Sequence, residues 1–510
     1  MRLGDIIKDC GVVEVKGSLD IGVSAVVDDS RKVTPGALFV AVKGLGVDGH
    51  SFIGKAIEAG AAAVVYEDTA PTVPTVPEPV EGVEGVEGPV VRQAHQPEIT
   101  FVKVSSSRHA LAIIAANFHD NPSRKLSLVG ITGTNGKTTT VTLLYNMFMA
   151  QGYNCGLLST IANYVGRRRS ETANTTASPL VINSLLAEMV DAGCEYCFME
   201  VSSIGVEQER VAGLDFKVGI FSNLTHDHLD YHGTFAEYLR CKKLFFDNLG
   251  PKATAVINID DRHGEVMTQN TKARVVTFSC RGMADHTCRV LEESFEGMLL
   301  RIDGREAWTR LVGKHNASNI LAIYSAAMAL GADPEETLVA ISKLEPAPGR
   351  LEIIRGPRDL SFVIDYAHTP DALDNALRTL REVDRGKELV CLFGCGGDRD
   401  KTKRPEMAKV AEEYSDRIIV TSDNSRSERT EDILSDIKAG FSQKGLSRAV
   451  FIPDRKEAMR AALLFSSPGA VILLAGKGHE TYQIIGQEKR HFDEREILDE
   501  LFKTVETIDK

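Results

Sequence analysis

The stretch that decides the fold is Leu128-Val129-Gly130-Ile131-Thr132-Gly133-Thr134-Asn135-Gly136-Lys137-Thr138-Thr139-Thr140. The apolar run Leu126 to Ile131 reads as a buried parallel strand, the Gly/Thr/Asn segment as a tight loop, and Val141 to Ala150 as the start of a helix. A loop at a helix N-terminus is an anion site, because glycines free backbone N–H groups and the positive end of the helix dipole adds to them. Lys137 is placed to reach the outer phosphates, and Thr138 to offer its hydroxyl to Mg²⁺. The spacing departs from the common phosphate-loop pattern, since five residues separate Gly130 from Gly136; the tight core is Gly133-x-x-Gly136-Lys137-Thr138.

Outward from this loop, 510 residues are too many for one core and predict about three domains of roughly 100–200 residues. A net charge of −12 argues against a nucleic-acid binder that works through bulk electrostatics, though a local basic pocket can still hold an anionic substrate. No apolar run approaches bilayer length and Met1 to Asp5 starts no signal-peptide core, so a cytoplasmic protein without membrane insertion is expected. The nine cysteines lie mostly in apolar segments and read as reduced thiols; Cys194 and Cys197, despite their redox-like spacing, read as core packing.

The predicted architecture is α/β with three domains: a smaller N-terminal α/β domain over 1–124, a central mostly parallel sheet bearing the phosphate loop over 125–349, and a separately wound Rossmann-like domain over 350–510. Residues 69–98, with Pro-Thr-Val repeats and Val/Glu-Gly units, read as an inserted, mobile surface loop outside the chemistry. In the central domain, polar clusters fall at predicted strand ends. Glu200 ends a strand where a carboxylate would meet Mg²⁺, Asn174-Thr175-Thr176 follows an Arg-rich turn at Arg167 to Arg169, and three histidines and two aspartates crowd His226 to His232 before Lys242-Lys243. Gly313 to Asn319 is expected to cap a helix. In the third domain the strands end at Tyr366-Ala367-His368, Gly394 to Asp400, Asp423 to Arg426 and Gly476 to Glu480; no dinucleotide fingerprint is present, so a redox cofactor is not expected.

Taken together, Thr132 to Thr139, Glu200-Val201-Ser202-Ser203, Asp227 to Gly233, Gly394 to Asp400 with Lys403-Arg404-Pro405, and Gly476 to Glu480 resemble the Mur ligases, ATP-dependent amino-acid ligases of peptidoglycan precursor synthesis, over nearly the whole chain outside 69–98. The resemblance implies ATP and Mg²⁺ as cofactors, held by Gly133, Thr134, Asn135, Gly136, Lys137, Thr138 and Thr139, with Asn316 and Asn319 near the adenine and Thr138, Glu200 and His228 around the metal. It implies Lys137, Lys242, His228 and Glu200 as catalytic, Lys242 being carbamylated. It places Ser30 on the UDP of a UDP-MurNAc-dipeptide and Asn174, Thr175, Thr176, Ser202, Gln208 and Arg210 on its muramoyl-dipeptide. A free diamino acid would meet Arg399, Asn424, Arg426, Gly476 and Glu480.

Two departures stand out. The family's Ser-Ser-His-Gly reads Ser202-Ser203-Ile204-Gly205, and its Asp-Asn-Pro-Arg motif reads Asp423-Asn424-Ser425-Arg426, which loosens the turn and leaves Glu428 as an alternative partner for Arg426. The expected activity is addition of a diamino acid to UDP-MurNAc-L-Ala-D-Glu through an acyl-phosphate, diaminopimelate favoured over lysine or ornithine, by a monomer. The alternatives are another Mur-type or folylpolyglutamate-type ligase and a nucleotide switch that ligates nothing.

Overall fold

The computed structural model describes residues 1–44, 46–68, 99–225, 229–384 and 386–508. The expectations for the insertion 69–98 and for His226, Asp227 and His228 therefore lie outside the described residues. The chain divides into two compact units, taken separately below: Met1–Leu128 with Asn154–Cys197 and Val201–Phe216, and Val129–Tyr153 with Phe198–Glu200 and Lys217–Lys510.

The first unit carries a five-stranded sheet in the order Val12–Lys16, Thr100–Val104, Ala63–Tyr66, Leu38–Val40, Val26–Val27, parallel except at its first pair. Leu38, Val40, Ala63 and Val65 face one side and pack on the helix Ser107–Phe118, while Phe39, Val64 and Tyr66 face the other and pack on Ile53 and Ala56 of Ile53–Glu58. Period-two alternation with both faces covered is what turns the continuous apolar runs Leu38–Val40 and Ala63–Tyr66 into buried parallel strands. The predicted Arg-rich turn is shorter than expected: Gly166, at φ +55°, and Arg167 form a two-residue hairpin, and Arg168 and Arg169 lie on the strand Arg168–Ser170.

In the second unit, one sheet runs in the order Arg305–Thr309, Gly297–Ile302, His286–Ser294, Arg274–Ser279, Thr254–Asn258, Phe216–Phe221, Ser127–Thr132, Tyr196–Glu200. From Phe216–Phe221 to His286–Ser294 the pairings are parallel. Beyond that the sheet departs from simple strand–helix alternation, because His286–Ser294, Gly297–Ile302 and Arg305–Thr309 form an antiparallel meander through short turns. A second sheet runs Glu352–Arg355, Ser361–Asp365, Val471–Ala475, Leu389–Phe393, Arg417–Val420, Ala449–Phe451, parallel apart from its first strand. Leu389–Phe393 is buried along its whole length because the helices Pro370–Val383 and Lys403–Tyr414 cover one face and Arg455–Phe465 and Glu494–Ile508 the other.

The loops at the carboxyl ends of this second sheet are tied from beneath by one buried cation. Arg455, wholly buried, pairs with the equally buried Glu494 at 2.7 Å and donates to the carbonyls of Ser422 (3.3 Å) and Ala475 (2.9 Å). Burial pushes the Glu494 carboxyl up and Arg455 pulls it back, which is how a buried ion pair balances its desolvation. The nine cysteines are free thiols, eight of them buried, and burial pushes those of Cys194 and Cys197 up, as expected for packing groups. Among the described residues no helix is long and apolar enough to cross a membrane.

Candidate active site

The strand Ser127–Thr132 ends in a loop that closes onto the helix Lys137–Ala150. No side chain caps this helix, so its first N–H groups remain directed into the loop. The loop is shaped by close approach. A Cβ on Gly133 would lie 1.9 Å from Ser222 Oγ, and one on Gly136, at φ +86°, would lie 2.4 Å from Asn319 Oδ1. Backbone bonds complete the clamp: Thr134 N donates to Asn223 O (2.9 Å), Asn135 N to Asn223 Oδ1 (2.9 Å), and Ser222 Oγ to Asn135 O (2.7 Å).

Two lysines converge on one carbonyl of this loop. Lys137 Nζ donates to Gly133 O (2.9 Å) and Thr134 O (2.8 Å), and the buried Lys242 Nζ donates to Gly133 O at 2.8 Å while sitting 4.6 Å from the centre of the Tyr238 ring. Tyr238 is fixed in turn by Thr134 Oγ1 at 3.0 Å. The neighbouring Lys243 faces away and pairs with Asp247 at 2.7 Å, so only Lys242 of the two reaches the loop. Thr138 Oγ1 donates to Glu200 Oε2 at 3.0 Å, and both residues are buried. A hydroxyl and a carboxylate side by side are hard oxygen donors of the kind Mg²⁺ takes, so the residues present fit that ion. Thr139 is buried behind them.

Asn316 and Asn319, expected near an adenine, are buried in the first two turns of Lys314–Ala329. Asn319 Nδ2 donates to Asn316 Oδ1 (3.0 Å), and its amide oxygen backs Gly136, which makes Asn319 a buttress of the loop. The second sheet also reaches the loop through residues the sequence gave no reason to choose. Asp371 Oδ2 accepts from Asn135 Nδ2 (2.7 Å) and Thr225 Oγ1 (3.0 Å), and Arg350 Nη2 donates to Thr138 Oγ1 (3.3 Å) with its guanidinium 4.8 Å from the Tyr366 ring centre. The position of Arg350 directly after Pro346 to Gly349, at the start of the new strand pattern, was the available signal.

At the carboxyl ends of the second sheet, Asn424 Nδ2 donates to Glu480 Oε2 at 2.9 Å, and Gly476 N donates to Asp365 O at 3.0 Å. Burial pushes the Glu480 carboxyl up, against the pull of Lys477 and the Asn424 amide. For Asp423, burial also pushes upward, but Lys477, Arg455 and the Asn424 N–H outweigh it and the net is low. Arg426 Nη1 donates to Gly397 O (2.8 Å). The alternative of an Arg426–Glu428 pair is not what forms. Glu428 is taken by the wholly buried Arg404 (3.0 and 2.9 Å) and by Lys401, and Arg404 holds its carboxyl down at about 2. Nor is the turn loose without a proline, because Arg426 N donates to Ile484 O (3.1 Å) and Gly486 N to Arg426 O (2.7 Å). Arg399 is exposed, and no hydrogen bond among the described residues joins it to Asn424 or Glu480.

In the first unit, Thr175, Thr176, Ser202, Gln208 and Arg210 are gathered by local bonds. Ser202 N donates to Thr176 Oγ1 (2.9 Å), Arg210 Nη1 to Thr176 O (2.6 Å) and Arg210 Nη2 to Gln208 Oε1 (2.7 Å), while Thr160 Oγ1 donates to Thr175 Oγ1 (3.1 Å). Asn174 is exposed beside them. Ser30, in the turn Ser30–Lys32 capped by Asp29, has no hydrogen bond to that network among the described residues.

The clamp on Gly136 makes a direct prediction. Gly136→Ala must adopt φ +86° and displace Asn319, a strain of about 1–3 kcal/mol; it is expected to weaken ATP binding by about 5- to 150-fold in calorimetric titration with the fold retained, and unchanged affinity would contradict the loop geometry.

Comparison with known proteins agrees with this arrangement. The Mur ligase family catalytic domain matches residues 23–119, the Mur ligase middle domain residues 131–328, and the Mur ligase glutamate ligase domain residues 349–478. A UDP-N-acetylmuramoyl-L-alanyl-D-glutamate–2,6-diaminopimelate ligase of Phocaeicola vulgatus is 47% identical over 98% of this chain and 99% of its own, and one of Clostridium acetobutylicum is 40% identical over 99% of each. A solved structure of a ligase of the same name superposes with a TM-score of 0.69 at 29% identity, covering 99% of both chains. The MurF ligase of Thermotoga maritima in complex with ADP, at 18% identity and a TM-score of 0.61 over 95% of this chain and 98% of that one, shares the fold. With three domain matches in order and full-length relatives well above the threshold of chance likeness, the chain belongs to the Mur ligase family.

Proposed function

We propose that this chain joins 2,6-diaminopimelate to UDP-N-acetylmuramoyl-L-alanyl-D-glutamate at the expense of ATP. The observation that carries the reading is the pairing, within one unit, of a phosphate loop ringed by Lys137, Lys242, Thr138 and Glu200 with a second-sheet pocket that sets Arg426 near Asn424 and Glu480. The full-length relatives named for this reaction support it. The domain assignment proposed is 1–124 for the UDP-substrate, 125–349 for ATP and 350–510 for the amino acid. Ser30 and the Thr175, Thr176, Ser202, Gln208 and Arg210 network are assigned to the acid substrate, with Asn174 beside them.

The chemistry requires two anions to meet. The carboxylate oxygen of the acid attacks the γ-phosphorus of ATP as the bond to ADP breaks; the amine nitrogen then attacks the acyl carbon, phosphate leaves, and the nitrogen gives up a proton. No protein nucleophile is needed, so the protein's work is position and charge. The Gly133–Thr138 loop orients the phosphates with N–H groups, and Lys137 neutralises the transferring group. Thr138 and Glu200 would hold Mg²⁺, with His228 assigned to the same role from the sequence; when bound, the ion neutralises phosphate charge. Asn316 and Asn319 are assigned to the adenine, Asn319 also backing Gly136.

For the amino acid, Arg426 offers a planar fork to a carboxylate, and Glu480, held by the Asn424 amide, offers an anion to the neighbouring ammonium. Lysine and ornithine lack that distal carboxylate. Lys242 is proposed to be carbamylated: its amine is buried 2.8 Å from Gly133 O, so a carboxylate formed on it from CO₂ would stand beside the phosphate loop.

Two measurements test these assignments. Phosphate release should require the dipeptide substrate and diaminopimelate together, with diaminopimelate preferred when lysine and ornithine compete, and Arg426→Ala should cost on the order of 2–5 kcal/mol in kcat/KM for diaminopimelate with ATP affinity little changed; preferential incorporation of lysine or ornithine would overturn the substrate. In ¹³C-bicarbonate, a carbamate carbon resonance should appear in the wild type and vanish in Lys242→Gln, and its absence from the wild type would remove the modification.

A further inference from the structure

The diamino-acid pocket contains a cation of its own that the reaction as written does not use. Lys477 is wholly buried, and its ammonium is surrounded by acceptors: Tyr482 O at 2.8 Å, Asp423 Oδ1 at 3.1 Å, Asn424 Oδ1 at 3.2 Å and Glu480 Oε2 at 3.2 Å. Two of these belong to the pair assigned to the incoming ammonium. Asn424 is thereby oriented, because an amide whose oxygen receives Lys477 and the Ile484 N–H (2.9 Å) must present its Nδ2 to Glu480. Glu480 is oriented as well. Its Oε2 accepts both the lysine and the Asn424 amide, whereas its Oε1 makes no hydrogen bond among the described residues, and the side chain keeps 13% of its surface exposed.

We propose that Lys477 is a positioning residue for the diamino acid: by fixing Asn424 and one oxygen of Glu480 from behind, it leaves the other Glu480 oxygen to receive the substrate's distal ammonium. The inference rests on the function proposed above. Its electrostatic logic is a count of charges. Asp423 and Glu480 are two carboxylates sharing one site, and with Lys477 between them these three side chains carry a net single negative charge, the complement of one ammonium, which leaves Arg426 for the substrate's carboxylate. Without the lysine, two buried carboxylates face each other and one of them takes up a proton. That one is Glu480: burial and Asp423 already push its carboxyl up, while Asp423 keeps Arg455 and the Asn424 N–H on its far side. The other groups around this cluster are Tyr366 and Tyr482, next to Glu480, with Arg350 acting on the first and Arg426 on the second, and Glu494, behind Asp423 on Arg455.

The test is a comparison of wild type and Lys477→Gln for all three substrates across pH. The expected result is a KM for diaminopimelate raised on the order of 30-fold or more, from a partner left buried without its counter-charge, with KM for ATP and for the UDP-dipeptide within about twofold. In the variant, diaminopimelate KM should also fall as pH rises, because a carboxyl with a raised pKa becomes an anion only at higher pH, whereas the wild-type KM stays flat over that range. Lys477→Arg, which restores the charge, should restore the flat profile. A folded Lys477→Gln enzyme with unchanged diaminopimelate KM and a flat profile would overturn the proposal, as would an equal loss for all three substrates, the mark of a merely structural lysine. Should Lys477→Gln fail to bind ATP, Asp423→Asn/Lys477→Gln is compared with Asp423→Asn alone: the diaminopimelate KM should still rise from the lost hold on Asn424 and Glu480, now with a flat pH profile because one carboxylate remains, and an unchanged KM would overturn the proposal. A wild type that used lysine and not diaminopimelate would sink the function proposed, and the Lys477 comparison would then be read with lysine.

Discussion

The contact on which the rest of the site depends is the closure of the Gly133 to Gly136 loop against Ser222, Asn223 and Asn319. Two positions have no room for a Cβ, and three hydrogen bonds tie the loop to the end of the neighbouring strand Phe216–Phe221. That closure sets the start of Lys137–Ala150 against the loop, puts Thr138 beside Glu200, and offers Gly133 O to both Lys137 and Lys242. A loop opened by even a methyl group would misplace all of these together, which is why positional precision and charge neutralisation are inseparable here.

The second constraint is electrostatic. Reactants that are both anions need cations close to the phosphates, yet the amino acid arrives with ammonium groups and needs anions. Under the proposed function the two demands fall at different places in one unit: lysines at the phosphate loop, and the Asp423, Glu480 and Lys477 cluster at the ends of the second sheet. Asp371 and Arg350 connect the two regions by hydrogen bonds to Asn135 and Thr138. Arg455 and Arg404, both wholly buried, hold the pocket loops from below, and neither faces solvent.

How much of this was legible in the sequence follows the range of the forces involved. Ser127–Thr132 and Leu389–Phe393 were readable because parallel strands covered on both faces leave an unbroken apolar run. Thr138 and Glu200 could be singled out because the polar residues gather where strands end, whereas Lys242, inside the helix Phe235–Asp247, was singled out only by the family resemblance. The meander Gly297–Ile302 and Arg305–Thr309 was missed; in Arg305–Thr309 an exposed face dilutes the apolar signal that separates strand from loop. Asp371 was missed because its partner Asn135 lies 236 positions away. Lys477 lay inside the Gly476 to Glu480 motif with no role assigned to it, and its complete burial among four acceptors is what sets it apart. The Asp423 to Arg426 turn shows the opposite error: the missing proline suggested looseness, while backbone bonds on both sides of Arg426 supply the constraint instead.

The central claim is that the acid substrate's own carboxylate is the nucleophile at the γ-phosphate, with the protein contributing position and charge alone. It is tested most directly with dipeptide substrate carrying ¹⁸O in the reacting carboxylate, followed by mass analysis of the phosphate released during ligation. An acyl-phosphate route predicts one ¹⁸O atom in each phosphate. Phosphate free of ¹⁸O, formed while ligation proceeds, would contradict the account.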